Sequence, residues 1–232
     1  MSDNKASVFL DLDDTILDFH KAEHIALSKA LSDLNIEPRQ EILDRYSVIN
    51  QEQWKRLEKG LASRIEILTD RFTILFGELG IDCSGEKARD LYEAYLCIGH
   101  YFIEGAPELL EALYGKYDLY MVSNGSLEVQ RSRMASADIN KYFKKIFISQ
   151  EIGADKPSTE FFDRCFSQIP DFKRENSVII GDSLSSDIKG GINAGIRTIW
   201  FNPKGENPEN NIKPDYSVSN LVEIPILLSN IL

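Results

Sequence analysis

The chain has 232 residues, of which 43% are hydrophobic and 27% are charged, and its formal net charge is −11 at pH 7. This balance is typical of a globular protein with a hydrophobic core, and it excludes a disordered chain. Because the chain is acidic and has no long basic segment, nucleic acid and anionic membrane surfaces are poor partners for it.

Short apolar segments rich in β-branched and aromatic residues are bounded by Gly, Pro, Asn or Asp, as in the buried strands of a parallel sheet. These predicted strands cover residues 7–12, 118–123, 145–149, 177–181 and 197–202. Between the later strands, apolar residues follow helical spacing, for example at 107–114 and 161–169. Strands and helices therefore alternate, which predicts a doubly wound α/β sheet.

The connection between the first two predicted strands is far longer than a normal crossover. It runs from residue 12 to residue 118 and contains helical apolar patterns, such as the one formed by Ala22, Ala26 and Ala30. We therefore predict an all-helical subdomain at residues 18–102, inserted into a core formed by residues 1–17 and 103–232.

Two pairs of aspartates follow predicted strands. Asp11 and Asp13 come at the carboxyl end of the first strand, where open α/β sheets bind ligands, and alternation points both to the same side. Asp182 and Asp187 follow the strand at 177–181. Any one of them could be a helix cap or a turn residue. Their joint placement predicts an oxygen-rich site suited to Mg²⁺.

Two further strand ends carry groups that can bind phosphate. Ser123, Asn124 and Gly125 offer a hydroxyl and backbone N–H groups at a turn into a helix, and Lys156 offers an ammonium before Pro157. An aspartate carboxylate beside a cation site, a hydroxyl and a lysine predicts phosphoryl transfer through an aspartyl-phosphate.

In order and spacing, these segments resemble the four motifs of the haloacid dehalogenase (HAD) superfamily. They are DLDDT at 11–15, Ser-Asn-Gly at 123–125, Lys-Pro at 156–157 and GDSLSSD at 181–187. The resemblance implies a Rossmann-like core with a parallel sheet of order 5-4-1-2-3. It also implies that the helical insert is a cap of class 1.

The resemblance further implies a role for each motif residue. Asp11 is expected to be the nucleophile and Asp13 the general acid and base. The phosphate is expected to contact Ser123 and Lys156, together with Leu12, Asn124 and Gly125. Mg²⁺ is expected to bind Asp11 and Asp182 directly, the Asp13 carbonyl, and Asp187 through a water. Asp14 is left without a catalytic role.

An acid at position 13 favours phosphate esters over organic halides, because HAD members that attack carbon lack an acid there. A sugar phosphomutase remains an alternative, since it differs mainly in returning the phosphoryl group to a sugar. A phosphoacceptor receiver domain is a third alternative. Receivers, however, have no inserted helical cap, and they supply no base for hydrolysis.

The helical insert resembles the noncanonical pyrimidine nucleotidase branch of the superfamily. The matching segments include Ile49-Asn50-Gln51, Arg71-Phe72 and Gly99-His100. This resemblance implies a 5′-nucleotidase acting on a small phosphorylated substrate, a pyrimidine nucleoside monophosphate. The alternative substrate is another small phosphometabolite, such as phosphoglycolate. The candidate substrate contacts are Asn50, Gln51, Trp54, Arg64, Arg71 and His100.

Each of these insert residues also has a structural interpretation, because aromatic residues at helical spacing usually belong to a bundle core. His100 can equally be a hydrogen-bonded residue between the two parts. His20 and His24 have a spacing that can bind metal, but no acidic third ligand is apparent, so a packed or solvated pair is favoured.

The cysteines and the N-terminus indicate the compartment. Cys83, Cys97 and Cys165 are odd in number and widely spaced, which predicts reduced thiols. The apolar segment before Asp11 is too short for a secretory signal, and no run of 18 apolar residues occurs. We therefore expect a cytoplasmic protein without a membrane span, either a monomer or a homodimer.

Overall fold

A parallel β-sheet lies at the centre of the molecule. The computed structural model describes residues 5–208 and 211–232. The strands of the described part are β1 (Ser7–Leu10), β2 (Asp118–Ser123), β3 (Lys145–Ile148), β4 (Ser177–Gly181), β5 (Arg197–Phe201) and β6 (Tyr216–Val218). Their spatial order is β3-β2-β1-β4-β5-β6, and each neighbouring pair is parallel.

This order confirms the predicted sequence of five strands, 5-4-1-2-3, and adds β6 beyond β5. Strand β6 was not predicted, because it has only three residues, of which Tyr216 and Ser217 are exposed. So short a strand gives no hydrophobic alternation to detect.

Helices cover both faces of the sheet and form the long insert after β1. The helices are α1 (Phe19–Asp33), α2 (Gln40–Glu58), α3 (Arg64–Leu79), α4 (Gly85–Leu96), α5 (Ala106–Leu113), α6 (Leu127–Ser136), α7 (Ser149–Ile152), α8 (Thr159–Phe166), α9 (Lys189–Ala194) and α10 (Ile224–Ile231). A π-helical turn, Leu184–Ile188, precedes α9. Within the described ranges, none of the helices has both the length and the apolar character needed to cross a membrane.

The alternating side chains of β1 fix the strand between two hydrophobic layers. Val8 and Leu10 pack in a cluster with Leu110 of α5 and Leu228 of α10. Phe9 points to the other face, in a cluster that includes Phe162 of α8. Because both faces are buried, β1 has no freedom to slip in register, and the residue after it is held at a fixed place.

Helices α1 to α4 pack around a hydrophobic cluster of their own, which we call the insert core. Its centre is aromatic: the rings of Tyr46, Phe72 and Tyr92 have centroids 5.0 to 5.6 Å apart. Val129 of α6 also packs in this cluster. This separate core supports the proposed division of the chain at residues 18–102.

Two chain segments connect the sheet to the insert, residues 16–18 on the way out and residues 99–103 on the way back. We call them the outgoing and returning crossings, and they are hydrogen bonded to each other. The N–H of Asp18 donates to the carbonyl of Tyr101 at 2.7 Å, and the N–H of Ile103 donates to the carbonyl of Ile16 at 3.0 Å. The outgoing and returning chains therefore run side by side immediately after the first acidic motif.

Helix α9 approaches the sheet closely at Gly191. A Cβ atom placed there would lie 2.5 Å from Cγ2 of Ile179 and 2.6 Å from Cγ2 of Thr198. Both neighbours are fully buried β-branched residues of the sheet, so they cannot move aside without disturbing it. Glycine at 191 is therefore a packing requirement of this layer.

We predict that Gly191→Ala destabilises the fold by about 1–3 kcal/mol, because the added methyl group overpacks this contact. The matched control is Gly77→Ala on α3, where a Cβ atom would have no neighbour within 4 Å. That change should stabilise the protein by about 0.5–1 kcal/mol. Urea unfolding measures both values, and equal effects of the two substitutions would contradict the predicted close packing.

Candidate active site

The first acidic motif and two strand ends meet at the carboxyl edge of the sheet. Because β1 lies between β2 and β4, Asp11, Ser123 and Asp182 lie at the ends of three adjacent strands. The N–H of Asp11 donates to the carbonyl of Ile180 at 3.0 Å, which continues the β1–β4 pairing by one residue. The parallel topology thus joins segments of the chain that are far apart in sequence.

Lys156 is buried between two carboxylates at this edge. Its Nζ lies 2.6 Å from Oδ1 of Asp11 and 2.6 Å from Oδ1 of Asp187, and it donates to the carbonyl of Val122 at 3.0 Å. Burial lowers the pKa of Lys156, but the charges of Asp11 and Asp187 outweigh it and raise that pKa above its ordinary value. The ammonium is therefore a fixed positive charge beside Asp11.

Asp11, Asp182 and Asp187 can each point one carboxylate oxygen into a common space, with these oxygens within 4.8 Å of one another. Burial raises the pKa of Asp11 well above its ordinary value, and the opposing charge of Lys156 does not cancel the effect. Burial, with the charges of Asp187 and Asp11, also raises the pKa of Asp182. A cation bound to these carboxylates would relieve their repulsion, so the donor set fits a metal ion with hard-oxygen preference.

Backbone and side-chain contacts hold the acidic ligand set in place. Oδ2 of Asp187 accepts the N–H of Ser183 at 3.1 Å, and a Cβ atom at Gly181 would lie only 2.2 Å from that oxygen. Thr15 accepts the N–H of Asp182 at 3.1 Å and donates to its carboxylate at 3.3 Å. The second acidic motif thus needs glycine at the end of β4, and Thr15 braces Asp182 from the first motif.

Asp13 is held by two residues of α6 that the sequence analysis missed. Nε2 of Gln130 donates to Oδ2 of Asp13 at 2.6 Å and to the hydroxyl of Ser123 at 2.8 Å. The guanidinium of Arg133 contacts Oδ1 of Asp13 and donates to Oε1 of Gln130 at 2.9 Å. The sequence does contain a signal for them: both polar residues lie on the same face of α6 as the buried Val129, where apolar residues are expected.

Asn124 uses its side chain to join two of the loops. Its Nδ2 donates to the carbonyl of Lys156 at 2.9 Å, and its Oδ1 accepts the N–H of Lys156 at 2.9 Å. The N–H of Gly125 donates to the Ser123 hydroxyl at 3.1 Å. The side chain of Leu12 is fully buried in the core. Any contact that Leu12 makes with a ligand at this edge must therefore come from its backbone.

A cavity of about 240 Å³ lies between this edge and the helical insert. At the sheet end it is lined by polar residues, namely Asp11, Asp13, Ser123, Asn124, Gly125, Lys156, Asp182 and Asp187. At the insert end it is lined by Phe19, Trp54, Glu58, Leu68, Arg71, Glu93 and Leu96. The cavity therefore has a charged floor and a more apolar roof, as in sites that bind an anionic group attached to a larger organic body.

Two of the six predicted insert contacts, Trp54 and Arg71, line this cavity. Asn50 lies behind Arg71: its side-chain oxygen accepts from Arg71 at 3.0 Å, and its nitrogen donates to Glu23 at 2.7 Å. Glu93 at the roof has a pKa raised by burial, which the nearby Arg71 charge opposes. Neither Glu23 nor Glu93 can be identified from the sequence, because their contacts depend on partners from other helices.

Arg64 contacts the sheet part of the molecule instead of the cavity. Its guanidinium donates to the carbonyl of Asn124, to the hydroxyl of Ser149 at 2.8 Å and to the carboxylate of Asp155. Gln51 and His100 are exposed and do not line the cavity within the described part of the chain. His100 instead contacts the Ser136 hydroxyl at 2.8 Å.

Asp14 caps the start of the insert. Its Oδ1 accepts the N–H of Phe19 at 2.9 Å, and its Oδ2 lies 3.5 Å from Nε2 of His20. Burial raises the pKa of Asp14 to about 6, an effect that His20 opposes and Asp13 reinforces. Among the described residues, neither His20 nor His24 belongs to a group that could hold a metal ion.

Comparisons with known proteins agree with this geometry. The family profile described as haloacid dehalogenase-like hydrolase matches residues 8–201. The HAD-hydrolase YfnB of Bacillus subtilis is 38% identical over 96% of this chain and 95% of its own length. A crystal structure of YfnB bound to magnesium has a TM-score of 0.92, covering 97% of this chain and 99% of that one.

Two further relatives carry the name pyrimidine 5′-nucleotidase. PynA of Streptococcus pneumoniae is 37% identical over 91% of this chain and 90% of its own length. YjjG of Escherichia coli is 28% identical over 95% of this chain and 96% of its own length. With the profile match and the fold, these similarities show that the chain belongs to the haloacid dehalogenase-like hydrolase family and resembles its pyrimidine nucleotidase branch.

Proposed function

We propose that the protein is a Mg²⁺-dependent phosphomonoester hydrolase that works through an aspartyl-phosphate on Asp11. The observation that carries this proposal is the convergence of Lys156 with Asp11, Asp182 and Asp187 at one edge of the sheet. This arrangement combines a nucleophile, a fixed positive charge and a cation site, which are the parts that phosphoryl transfer needs.

In the first step, a carboxylate oxygen of Asp11 attacks phosphorus and the bond to the leaving oxygen breaks. Two anions repel each other, so the ammonium of Lys156, 2.6 Å from Asp11, must offset the charge as they approach. The hydroxyl of Ser123 would donate a hydrogen bond to a phosphoryl oxygen. Asp11, Asp182 and the Asp13 carbonyl would hold Mg²⁺ directly and Asp187 would hold it through a water, and the ion would supply further charge neutralisation when bound.

Asp13 is the proposed general acid and base. Its carboxyl proton goes to the leaving oxygen, which departs as an alcohol. The resulting Asp13 carboxylate then takes a proton from a water molecule as that water attacks phosphorus. Breaking the acyl-phosphate bond releases inorganic phosphate and restores the Asp11 carboxylate, and the proton on Asp13 completes the cycle.

We propose that the substrate is a pyrimidine nucleoside 5′-monophosphate. The names of PynA and YjjG support this choice, and so does the insert end of the cavity. There, Trp54 and Phe19 offer aromatic surface to a base, while Arg71 and Glu93 offer a donor and an acceptor. The thiols of Cys83, Cys97 and Cys165 are free, as is usual in the reducing cytoplasm. A cytoplasmic location would give the protein access to nucleoside monophosphates.

Asp11→Asn should lower turnover of p-nitrophenyl phosphate by at least about 10³-fold, because an amide cannot act as the nucleophile. The fold should persist, since Lys156 keeps its contact with Asp187. The matched control is Asp14→Asn, which is isosteric, lies in the same loop and keeps the capping oxygen; it should stay within about fivefold of wild type. Substantial activity in a folded Asp11→Asn protein would contradict the assigned nucleophile.

Adding Mg²⁺ to the metal-free protein should raise its melting temperature, since saturation to 100 times the dissociation constant adds about 2.7 kcal/mol. Asp182→Asn removes one ligand and one of the crowded carboxylates. The metal-free variant should therefore melt at or above the wild-type temperature and lose most of the Mg²⁺ increment. Thermal unfolding with and without Mg²⁺ measures this, and a full wild-type increment in the variant would disprove the metal assignment.

A hydrolysis screen tests the substrate. We expect UMP, dUMP or dTMP to exceed phosphoglycolate and sugar phosphates in kcat/KM by about tenfold or more, because the cavity roof can contact a base. Preference for phosphoglycolate would reject the nucleotidase assignment but keep the phosphatase. Conversion of a sugar phosphate to its isomer, with little phosphate release, would instead indicate a phosphomutase.

A further inference from the structure

The side chains of Arg133 and Gln130 together engage both carboxylate oxygens of Asp13. Arg133 contacts Oδ1, and Gln130 donates to Oδ2 at 2.6 Å. Arg133 also donates to Oε1 of Gln130 at 2.9 Å, which fixes the orientation of that amide. The Gln130 nitrogen must then face Asp13 and the hydroxyl of Ser123, 2.8 Å away. We call Arg133 and Gln130 the α6 pair.

The α6 pair occupies positions where a helix normally buries apolar side chains. Arg133 is fully buried and Gln130 is 1% exposed. Nη2 of Arg133 has no hydrogen-bond partner among the described residues, although it is shielded from solvent. A buried charge with an unpaired donor lowers the stability of a fold, so packing alone would favour an apolar residue at position 133.

Arg133 is also fixed from the side of the insert. Its Nε donates to the carbonyl of Gly99 at 2.9 Å, and its guanidinium carbon lies 5.7 Å from the centre of the Phe19 ring. Gly99 lies on the returning crossing, and Phe19 begins the outgoing helix α1. The guanidinium is therefore held by both crossings, and this leaves its Nη1 directed at Asp13.

We propose that Arg133, acting with Gln130, is a positioning residue for the proton transfers of Asp13. Arg133 does not line the cavity formed by the described residues, whereas Asp13 and Gln130 do, so its effect on the reaction must pass through them. The α6 pair holds the Asp13 carboxyl group in one orientation and sets the Ser123 hydroxyl relative to it. This inference rests on the proposed phosphatase reaction.

The two roles that Arg133 could have, positioning and purely structural, predict different results with different leaving groups. A nucleoside alkoxide is a poor leaving group and needs the proton of Asp13, whereas p-nitrophenolate leaves without one. Misplacing Asp13 should therefore slow nucleotide hydrolysis much more than hydrolysis of p-nitrophenyl phosphate. A structural defect would slow both reactions by the same factor.

The experiment compares kcat/KM of the full-length Mg²⁺-loaded wild type and Arg133→Met for UMP and p-nitrophenyl phosphate. We expect a fall of about 10²-fold for UMP and of less than about fivefold for p-nitrophenyl phosphate. Arg131→Met is the matched control, because Arg131 lies on the same helix but pairs with Glu151 at the surface. It should change neither value. Equal losses for both substrates in a folded Arg133→Met protein would overturn the proposal.

A double-mutant cycle gives a second, independent test. In an Asp13→Asn background the proton transfer is already lost, so Arg133→Met should lower kcat/KM for UMP by less than about threefold further. A second full loss would show that Arg133 acts independently of Asp13, and would overturn the proposal. If Arg133→Met does not fold, Gln130→Met replaces it in the test, because it removes the contact to the other oxygen of Asp13. It should show the same dependence on the leaving group.

The wild-type enzyme separates this proposal from the proposed function. If the wild type hydrolyses neither phosphate ester, the phosphatase assignment itself fails. If it hydrolyses both, and Arg133→Met leaves the ratio of the two kcat/KM values unchanged, only the positioning role fails. Partial recovery of UMP hydrolysis in Arg133→Lys, which keeps a positive charge near Asp13, would further support positioning.

Discussion

The ion pair of Lys156 with Asp11 and Asp187 is the interaction on which the rest of the site depends. Three carboxylates and one ammonium leave this group with two net negative charges when all are ionised. A divalent cation bound at this edge would balance that excess and offset the repulsion among the buried acidic groups. Without Lys156, Asp11 would face Asp187 and Asp182 with no fixed counter-charge, and its pKa would rise further than burial with the lysine present raises it. The lysine therefore opposes the effect of burial on Asp11 and offsets part of the negative charge of this edge.

The parallel sheet brings the strand ends of the site together, while the π-helical turn Leu184–Ile188 carries Asp187 to them. Asp11 and Asp182 directly follow their strands, Ser123 is the last residue of its strand, and the order of the strands makes the three ends adjacent. The register of β1 is set by its two buried faces, so the position of Asp11 is as rigid as the hydrophobic core. Side chains on the loops then join the strand ends to one another, as Asn124 does with Lys156 and Thr15 with Asp182. The site is consequently a property of the whole sheet rather than of one loop.

The five main strands and their ends could be predicted from the sequence, because each combines a short apolar segment with a polar turn.

The contacts made by the insert could not be predicted in this way. Arg64 lies on helix α3 of the insert, yet its partners belong to the segments that follow β2 and β3, and no local pattern indicates that contact. Gln130 and Arg133 were missed because a polar residue on a buried helical stripe looks like an imperfect stripe until its partner is known. Strand β6 was too short for any periodicity. Local patterns thus indicated which residues gather at the sheet edge, whereas the roof of the cavity depends on tertiary contacts.

The paired crossings described above bear on how such a molecule could be modified. Because residues 16–18 and 101–103 are hydrogen bonded side by side, the helical insert begins and ends at almost the same point in space. A short turn could span that gap, so helices can be exchanged, lengthened or deleted there while the sheet keeps its strand order. An exchange made after Phe19 and before Gly99 would leave the contacts of Arg133 in place, because these two residues hold its guanidinium. A grafted helical segment of different shape would then present the same acidic edge to a different organic group.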